Sequence, residues 1–448
     1  MIDRSAVEEA LAAAPTVPGL SVAWRAADGE VETAVFGKIT PGGPDLTPET
    51  IFQAGSVSKP VTAVGILRLV DQGVVDLDTD VNDILTSWKV PPVDDWQPVV
   101  TLRRLLTHTA GLTVHGFGGY AHDADVPTVP QLLNGEPPSN SGAVRVAMMP
   151  GLIWKYSGGG TTVAQQLIVD ATGTPFPELL RELVLEPAGM GAATFEQPLP
   201  ARLHDLAATA HLADGSPVVG RWHTYPEMAA AGLWCAPKDL VAFAGAVQNA
   251  LSGGTHALLS PELAKLLVTA AYPEVSESMG VGFFLSGGPT DAGHERFGHG
   301  GADHGFLTDL SADIAGRRAA AAMVHSFAGG PALRVAVQAA GRAIGWAEPE
   351  DAAAPLSGVD ESELMAALAD GYLTEDGRTF KLRYEAGLSL IAPGQPPLPL
   401  EMISVLNWIS RLGLTMSFEV AEGRITGISI HQAGTTIKAR RSTYESEA

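Results

Sequence analysis

Apolar positions in this chain recur at strand spacing first and at helix spacing soon after. Residues 18–27 and 31–36 are rich in β-formers, and Asp28-Gly29 between them reads as a hairpin turn. Residues 56–72 carry the helical period and stop near Gly73. A second helix opens at residues 101–106, with Thr101 placed to cap it. Helical patterns return at 160–172, 176–185, 237–250, 260–270 and 330–344, and strand-like runs at 280–285, 304–311 and 318–326. Between 113 and 150 the periodicity lapses in favour of Gly, Pro, Ser and Asn. A loop that long in a compact domain reads as a wall or lid of a substrate cleft.

Past residue 346 the pattern changes. Residues 347–358 read as a linker and 360–369 as a short helix. Runs of period two follow at 378–385, 388–392, 414–420, 424–430 and 435–441, which predicts a small antiparallel barrel. The chain is thus expected to hold a large mixed domain over 1–346 and a β domain over 359–448.

Composition narrows the function classes. The net charge is −22 and the 28 basic residues are scattered, so no nucleic-acid partner is expected. No run of about 18 apolar residues occurs, so no membrane-spanning helix is expected. The N-terminus has neither a basic segment nor an apolar core of a signal peptide, which reads as a cytoplasmic protein. The single cysteine, Cys235, excludes an intrachain disulfide and a cysteine-based zinc cluster, and reads as a small buried hydrophobe. No metal or cofactor is expected.

Three motifs carry candidate chemistry. Ser56-Val57-Ser58-Lys59 places a serine and a lysine on one helical face. A serine hydroxyl needs an adjacent base to attack, and a lysine amine serves once burial disfavours its ammonium. Of the eight lysines only Lys59 has a serine three residues before it. Ser56 would also open its helix, where free N–H groups favour developing negative charge. The second motif, Tyr156-Ser157-Gly158, stands before a helix, and a phenol there can shuttle protons. The third, His299-Gly300-Gly301-Ala302, has glycines that let a strand backbone approach a substrate. The N–H groups of Ser56 and Ala302 are the expected oxyanion hole. No Gly-x-Ser-x-Gly occurs, which disfavours an α/β-hydrolase.

In that order the motifs resemble those of the serine β-lactamase and penicillin-binding-protein superfamily, its class C-like branch above all. The likeness extends through Leu102 to Leu112, Glu186 to Met190 and Ala230 to Trp234. It implies an α+β fold, an antiparallel sheet flanked by helices with a helical subdomain. It also implies catalytic roles for Ser56, Lys59, Tyr156 and His299. Substrate is expected against Gly158, Gly232, Leu233, Trp234, Gly300 and Gly301. Two departures stand out. Gly158 occupies a place where the family often has Asn, and His299 one where classical β-lactamases have Lys. Both turn the reading away from β-lactam destruction.

Residues 359–448 resemble the lipocalin-like barrel of some superfamily members, through Pro393 to Leu400 and His431 to Gly434. A catalytic domain with such a barrel is similar to penicillin-binding-protein-type thioesterases, stand-alone cyclases of nonribosomal peptides. That implies a peptidyl substrate delivered by a peptidyl carrier protein. It also implies a barrel arginine at the active site, with Arg441 as first candidate and Arg440 as second. The rival readings are a hydrolase of D-peptides or esters and a catalytically silent binding protein.

Overall fold

The computed structural model describes residues 2–346 apart from 274, 277 and 287–294; beyond 346 it describes residue 367 and the strands between 371 and 442. The chain forms two compact units, Met1–Glu348 and Pro349–Ala448.

The first unit is built on an antiparallel sheet. The expected hairpin is present as β1 (Gly19–Arg25) and β2 (Glu32–Gly37), in register from Gly19 opposite Gly37 to Trp24 opposite Glu32. Two short strands, β3 (Phe52–Gln53) and β4 (Trp234–Cys235), pair with each other apart from the main sheet. β5 (Phe284–Ser286), β6 (Arg296–Asp303), β7 (Phe306–Asp313) and β8 (Ala319–Val324) complete six strands in the order β2-β1-β8-β7-β6-β5.

Helices cover both faces of that sheet. Alternate residues of β8 serve different cores because successive side chains point to opposite faces. Ala320, Ala322 and Val324 pack with Val7 of α1 (Arg4–Ala12) and with Leu333 and Ala336. Ala319, Ala321 and Met323 join the larger core. That core includes α2 (Ser58–Asp71), α3 (Leu102–Leu106), α4 (Gly158–Thr172), α5 (Met228–Ala231) and α6 (Pro237–Leu251). The expected final helix is α7 (Gly330–Ala343), packed on the α1 side. Thr101 caps α3 as expected, accepting from the Arg104 N–H at 3.3 Å. The stretch 176–185 differs: the α-helix ends at Leu180 and the chain continues as a π-turn over Arg181–Leu185.

α2 departs from a one-sided amphipathic helix. Every residue from Ser58 to Leu67 is buried, so it runs through the interior. A helix apolar all round is a core helix, and its N-terminus opens beside the sheet.

The second unit is a β-barrel. Its strands are β9 (Gly371–Thr374), β10 (Thr379–Tyr384), β11 (Leu388–Ile391), β12 (Leu398–Ser404), β13 (Asn407–Ser410), β14 (Thr415–Ala421), β15 (Arg424–Gln432) and β16 (Thr435–Ser442). Each pairs antiparallel with its sequence neighbour, and β16 pairs with β9. Phe380, Leu382, Leu390, Phe418, Ile428 and Ala439 lie in its core. The five runs of period two each fall on a strand. β9, β12 and β13 are strands beyond those five runs, and β12 carries Pro399, which weakens its strand signal. The expected linker at 347–358 lies outside the described residues, as does the 360–369 helix except for Ala367.

Candidate active site

Ser56 sits in a single 3-10 turn, Gly55–Val57, that runs directly into α2. Gly55 adopts φ +53°, a left-handed conformation that glycine tolerates without strain. The turn is tied down from both sides. The Ser58 hydroxyl donates to the Gly55 carbonyl at 2.6 Å and accepts from the Leu233 N–H at 3.0 Å.

Lys59 is buried, and its Nζ lies 2.9 Å from Ser56 Oγ and 2.8 Å from the Ala230 carbonyl. The helical spacing therefore brings the two side chains into hydrogen-bond contact. Ala230, on α5, fixes the amine from a position 171 residues away in sequence.

β6 crosses the turn at close range. A Cβ on Gly301 would fall 2.0 Å from the Ala54 carbonyl oxygen, and one on Gly55 would fall 2.6 Å from the Ala302 nitrogen. Only glycine fits either place. The approach brings the backbone nitrogens of Ala302 and Ser56 into one neighbourhood. Gly300 meets nothing closer than 3.9 Å and is exposed.

Tyr156 stands over Lys59, with Nζ 4.9 Å from the ring centroid. Its ring is wedged among His108 at 4.3 Å, His115 at 4.9 Å and Phe284 at 6.4 Å, the last stacked in parallel. The following Ser157 caps α4, accepting from the Gly160 N–H at 3.0 Å. Gly158 donates its N–H to the His115 carbonyl at 2.9 Å. A Cβ on Gly158 would lie 3.1 Å from both that carbonyl oxygen and the Phe117 ring. The 113–117 loop thus crowds the space into which an Asn side chain would start.

His299 is fully buried in β6, with its ring against Phe284 at 4.9 Å. Its Nδ1 lies 2.5 Å from the Gly300 carbonyl, so that nitrogen carries the proton and Nε2 is left as an acceptor. Burial, with the Lys59 charge adding to it, pushes its pKa down to about 3. His299 is therefore a neutral imidazole at neutral pH and not a cation for a substrate carboxylate.

Leu233 and Trp234 need correction. Both are fully buried, and Trp234 packs edge-on to Trp222 at 5.0 Å and Phe306 at 5.8 Å. The β3–β4 pairing encloses them in the core, so neither side chain offers a surface to substrate. The Leu233 backbone reaches that turn instead, its carbonyl accepting from the Ala54 N–H at 2.8 Å, two residues before Ser56. Gly232 ends α5 and its carbonyl accepts from Gln197 at 2.9 Å. In the second unit, Arg440 is exposed, while Arg441 shares the face of buried Ala439 and donates to the Ile425 carbonyl at 3.2 Å.

Several site residues escaped sequence reasoning. His108 is buried, adopts φ +58°, and its Nδ1 accepts from the Ser157 N–H at 3.3 Å. Burial, helped by the Lys59, His299 and His115 charges, pushes its pKa well below the ordinary range. Trp154, Phe284 and Ala230 complete the enclosure. Asp303 and Glu227 are buried carboxyls near the same centre, both pushed upward chiefly by burial. The available signal for Glu227 was a lone acid before an alanine run, Glu227-Met228-Ala229-Ala230-Ala231. Among the described residues no group of His, Cys, Asp and Glu could hold a metal ion. No described helix is long and apolar enough to cross a membrane.

Known proteins resemble this chain to different extents. Residues 5–343 match the beta-lactamase family. Esterase EstB of Burkholderia gladioli is 30% identical over 166 residues, 36% of this chain and 42% of that protein. The chain spans about a quarter to a half of the curated relatives it matches. Among solved structures, SurE with D-Leu superposes with a TM-score of 0.60 at 22% identity, covering 97% of this chain and 98% of its own. A D-stereospecific amidohydrolase from Streptomyces sp. has a TM-score of 0.56 at 23% identity, covering 72% and 94%.

Proposed function

The chain belongs to the beta-lactamase family, and from that premise we propose that it is a serine acyl-enzyme catalyst that takes a peptidyl thioester onto Ser56 and releases it by head-to-tail cyclisation. The observation that carries the acyl-enzyme reading is the buried Lys59 amine in contact with Ser56 Oγ at 2.9 Å. In the proposed acylation, Lys59 takes the Ser56 proton as Oγ attacks the carbonyl carbon. The Ser56 and Ala302 N–H groups hold the oxyanion. The C–S bond breaks, and the departing thiolate receives the proton from Lys59 by way of Tyr156. In the second half the peptide's own amine attacks the ester carbonyl and gives a proton to the same relay, the bond from the carbonyl carbon to Ser56 Oγ breaks as the amide forms, and the relay returns the proton to Oγ.

A peptide with a D-configured residue at its acyl end is the proposed substrate, presented by a carrier protein. SurE with D-Leu and the D-stereospecific amidohydrolase support that choice by fold alone. The neutral His299 supports a carrier-bound acyl group, because a site without that cation is poorly suited to a free carboxylate. The barrel supports the cyclase reading, since the SurE likeness spans both units.

The second reading, hydrolysis, is favoured by the likeness to esterase EstB. One experiment separates the two. Linear peptidyl thioester mimics ending in D- or L-residues are incubated with the protein and the products resolved by mass. Cyclic product from D-terminated substrates is expected. Linear acid alone, across varied peptides, overturns cyclisation and leaves the hydrolase. A fluorophosphonate probe that labels wild type and Ser56→Ala equally removes the acyl-enzyme reading itself.

A further inference from the structure

Glu227 precedes α5, the single turn whose Ala230 carbonyl holds Lys59. That turn is stitched in place on both sides of the carboxyl. Gln165 of α4 donates to the Pro226 carbonyl at 3.0 Å and accepts from the Ala229 N–H at 2.8 Å. The Thr62 hydroxyl of α2 donates to the Ala229 carbonyl at 3.3 Å. The Glu227 carboxyl is fully buried, and neither oxygen has a hydrogen-bond partner in another residue among those described.

The groups that face it come from every element around it. Lys59 lies on α2, Asp303 at the end of β6, Tyr225 on the same segment and Tyr120 on the 113–150 loop. Asp303 is also buried, has one oxygen unpartnered, and meets the Gly55 N–H beside the nucleophile. The Tyr225 hydroxyl accepts from the His304 N–H at 2.9 Å. The interior that acts electrostatically on Glu227 thus includes one amine, Lys59, and a second acid, Asp303, all of them buried. An ion there is costly unless paired.

Resting on the acyl-enzyme reading, we propose that Glu227 is a positioning residue for acylation, a carboxyl that stays protonated so that Lys59 can stand as a free amine before Ser56 attacks. The reason is electrostatic. Lys59 begins the step as an amine and ends it as an ammonium after taking the serine proton. A carboxylate at Glu227 would hold Lys59 as the ammonium from the start and deny Ser56 its base. A neutral carboxyl removes that bias while keeping the turn that carries Ala230 filled. Burial, the largest cause, pushes Glu227 up to about 8, which keeps it neutral over the physiological range.

The test compares wild type with Glu227→Gln, an isosteric group that never ionises. The second-order rate of fluorophosphonate labelling is measured from about pH 6 to pH 9.5, with Ser56→Ala as the control. The two profiles should coincide to within about twofold at pH 6–7, and above pH 8 wild type should fall behind by about threefold or more. Glu227→Met, also without charge, should follow Glu227→Gln above pH 8 and covers the case in which the amide does not fold. Profiles that superimpose throughout overturn the proposal. So does a folded Glu227→Gln that loses more than about tenfold at pH 7. Absence of Ser56-dependent labelling in wild type would instead remove the acyl-enzyme reading. Melting temperature against pH gives an independent readout. The folded carboxyl holds its proton from its ordinary value of 4.5 up to about 8, so wild-type stability should fall relative to Glu227→Gln as pH rises through that window. A constant gap counts against it.

Discussion

β6 and β8 flank the same strand, β7, in one sheet, and both are made of small residues for opposite reasons. β8 reads Ala319-Ala320-Ala321-Ala322-Met323-Val324 and is buried on both faces. Its alanines let helices approach the sheet closely from either side, with each face assigned to its own core. β6 reads Arg296-Phe297-Gly298-His299-Gly300-Gly301-Ala302-Asp303, with exposed and buried positions interleaved. Its glycines let the backbone itself approach another backbone, the turn that carries Ser56. Small side chains in one strand make a packing surface for helices; in the other they let the backbone close on the Ser56 turn. Composition alone does not distinguish these uses, whereas the neighbour that would be struck by an added carbon does.

The largest expected effect breaks the β6 side of that contrast. Gly301→Ala puts a Cβ 2.0 Å from the Ala54 carbonyl oxygen, so β6 must move off the turn. Fluorophosphonate labelling should slow by about 100-fold or more, the scale of losing an oxyanion donor. Ala321→Leu breaks the other side. It overfills the core between β8 and α6, and chemical denaturation should show a loss of about 1–3 kcal/mol. The labelling rate of the remaining folded protein should be unchanged.

A third difference concerns acid. β8 contains no titratable residue, while β6 carries His299. Folded His299 resists protonation down to about pH 3, whereas its ordinary value is 6.5. The unfolded chain therefore binds more protons in that window, and stability should fall as pH drops through it. His299→Gln should flatten that fall by a few degrees in melting temperature between pH 6.5 and pH 4. His325, pushed down to about 4 by burial, acts in the same sense and remains in both proteins. The smallest effect sharpens the comparison within β6. Gly300→Ala meets nothing closer than 3.9 Å, so labelling should stay within about twofold of wild type. A large loss there would mean that β6 needs flexibility along its length and not just one close approach.

Much of this was legible in the chain. Ser56 and Lys59 meet because three residues make nearly one helical turn, a local relation that spacing alone decides. The β1–β2 hairpin follows from the β-forming residues on either side of Asp28-Gly29, and the buried helices from the helical period. Leu233 and Trp234 were misread because their motif lies beside the nucleophile in space. Their own side chains pack inward, and nothing in a linear pattern says which face of a two-residue strand turns to the cleft. His108 and Glu227 were missed because a lone His or Glu in a sequence carries no mark of the dry environment that makes it unusual.

The sequence by itself determined the Ser56–Lys59 pair, the order of the three motifs and the change from helical to strand period past residue 346. These rest on neighbours within a few positions, where backbone geometry leaves little choice. Tertiary structure alone decided that Ala230 would hold Lys59 across 171 residues, that Gly301 would press against Ala54, and that His299 would be neutral. Desolvation and close approach arise from atoms that meet only after the chain has folded, so no local pattern encodes them.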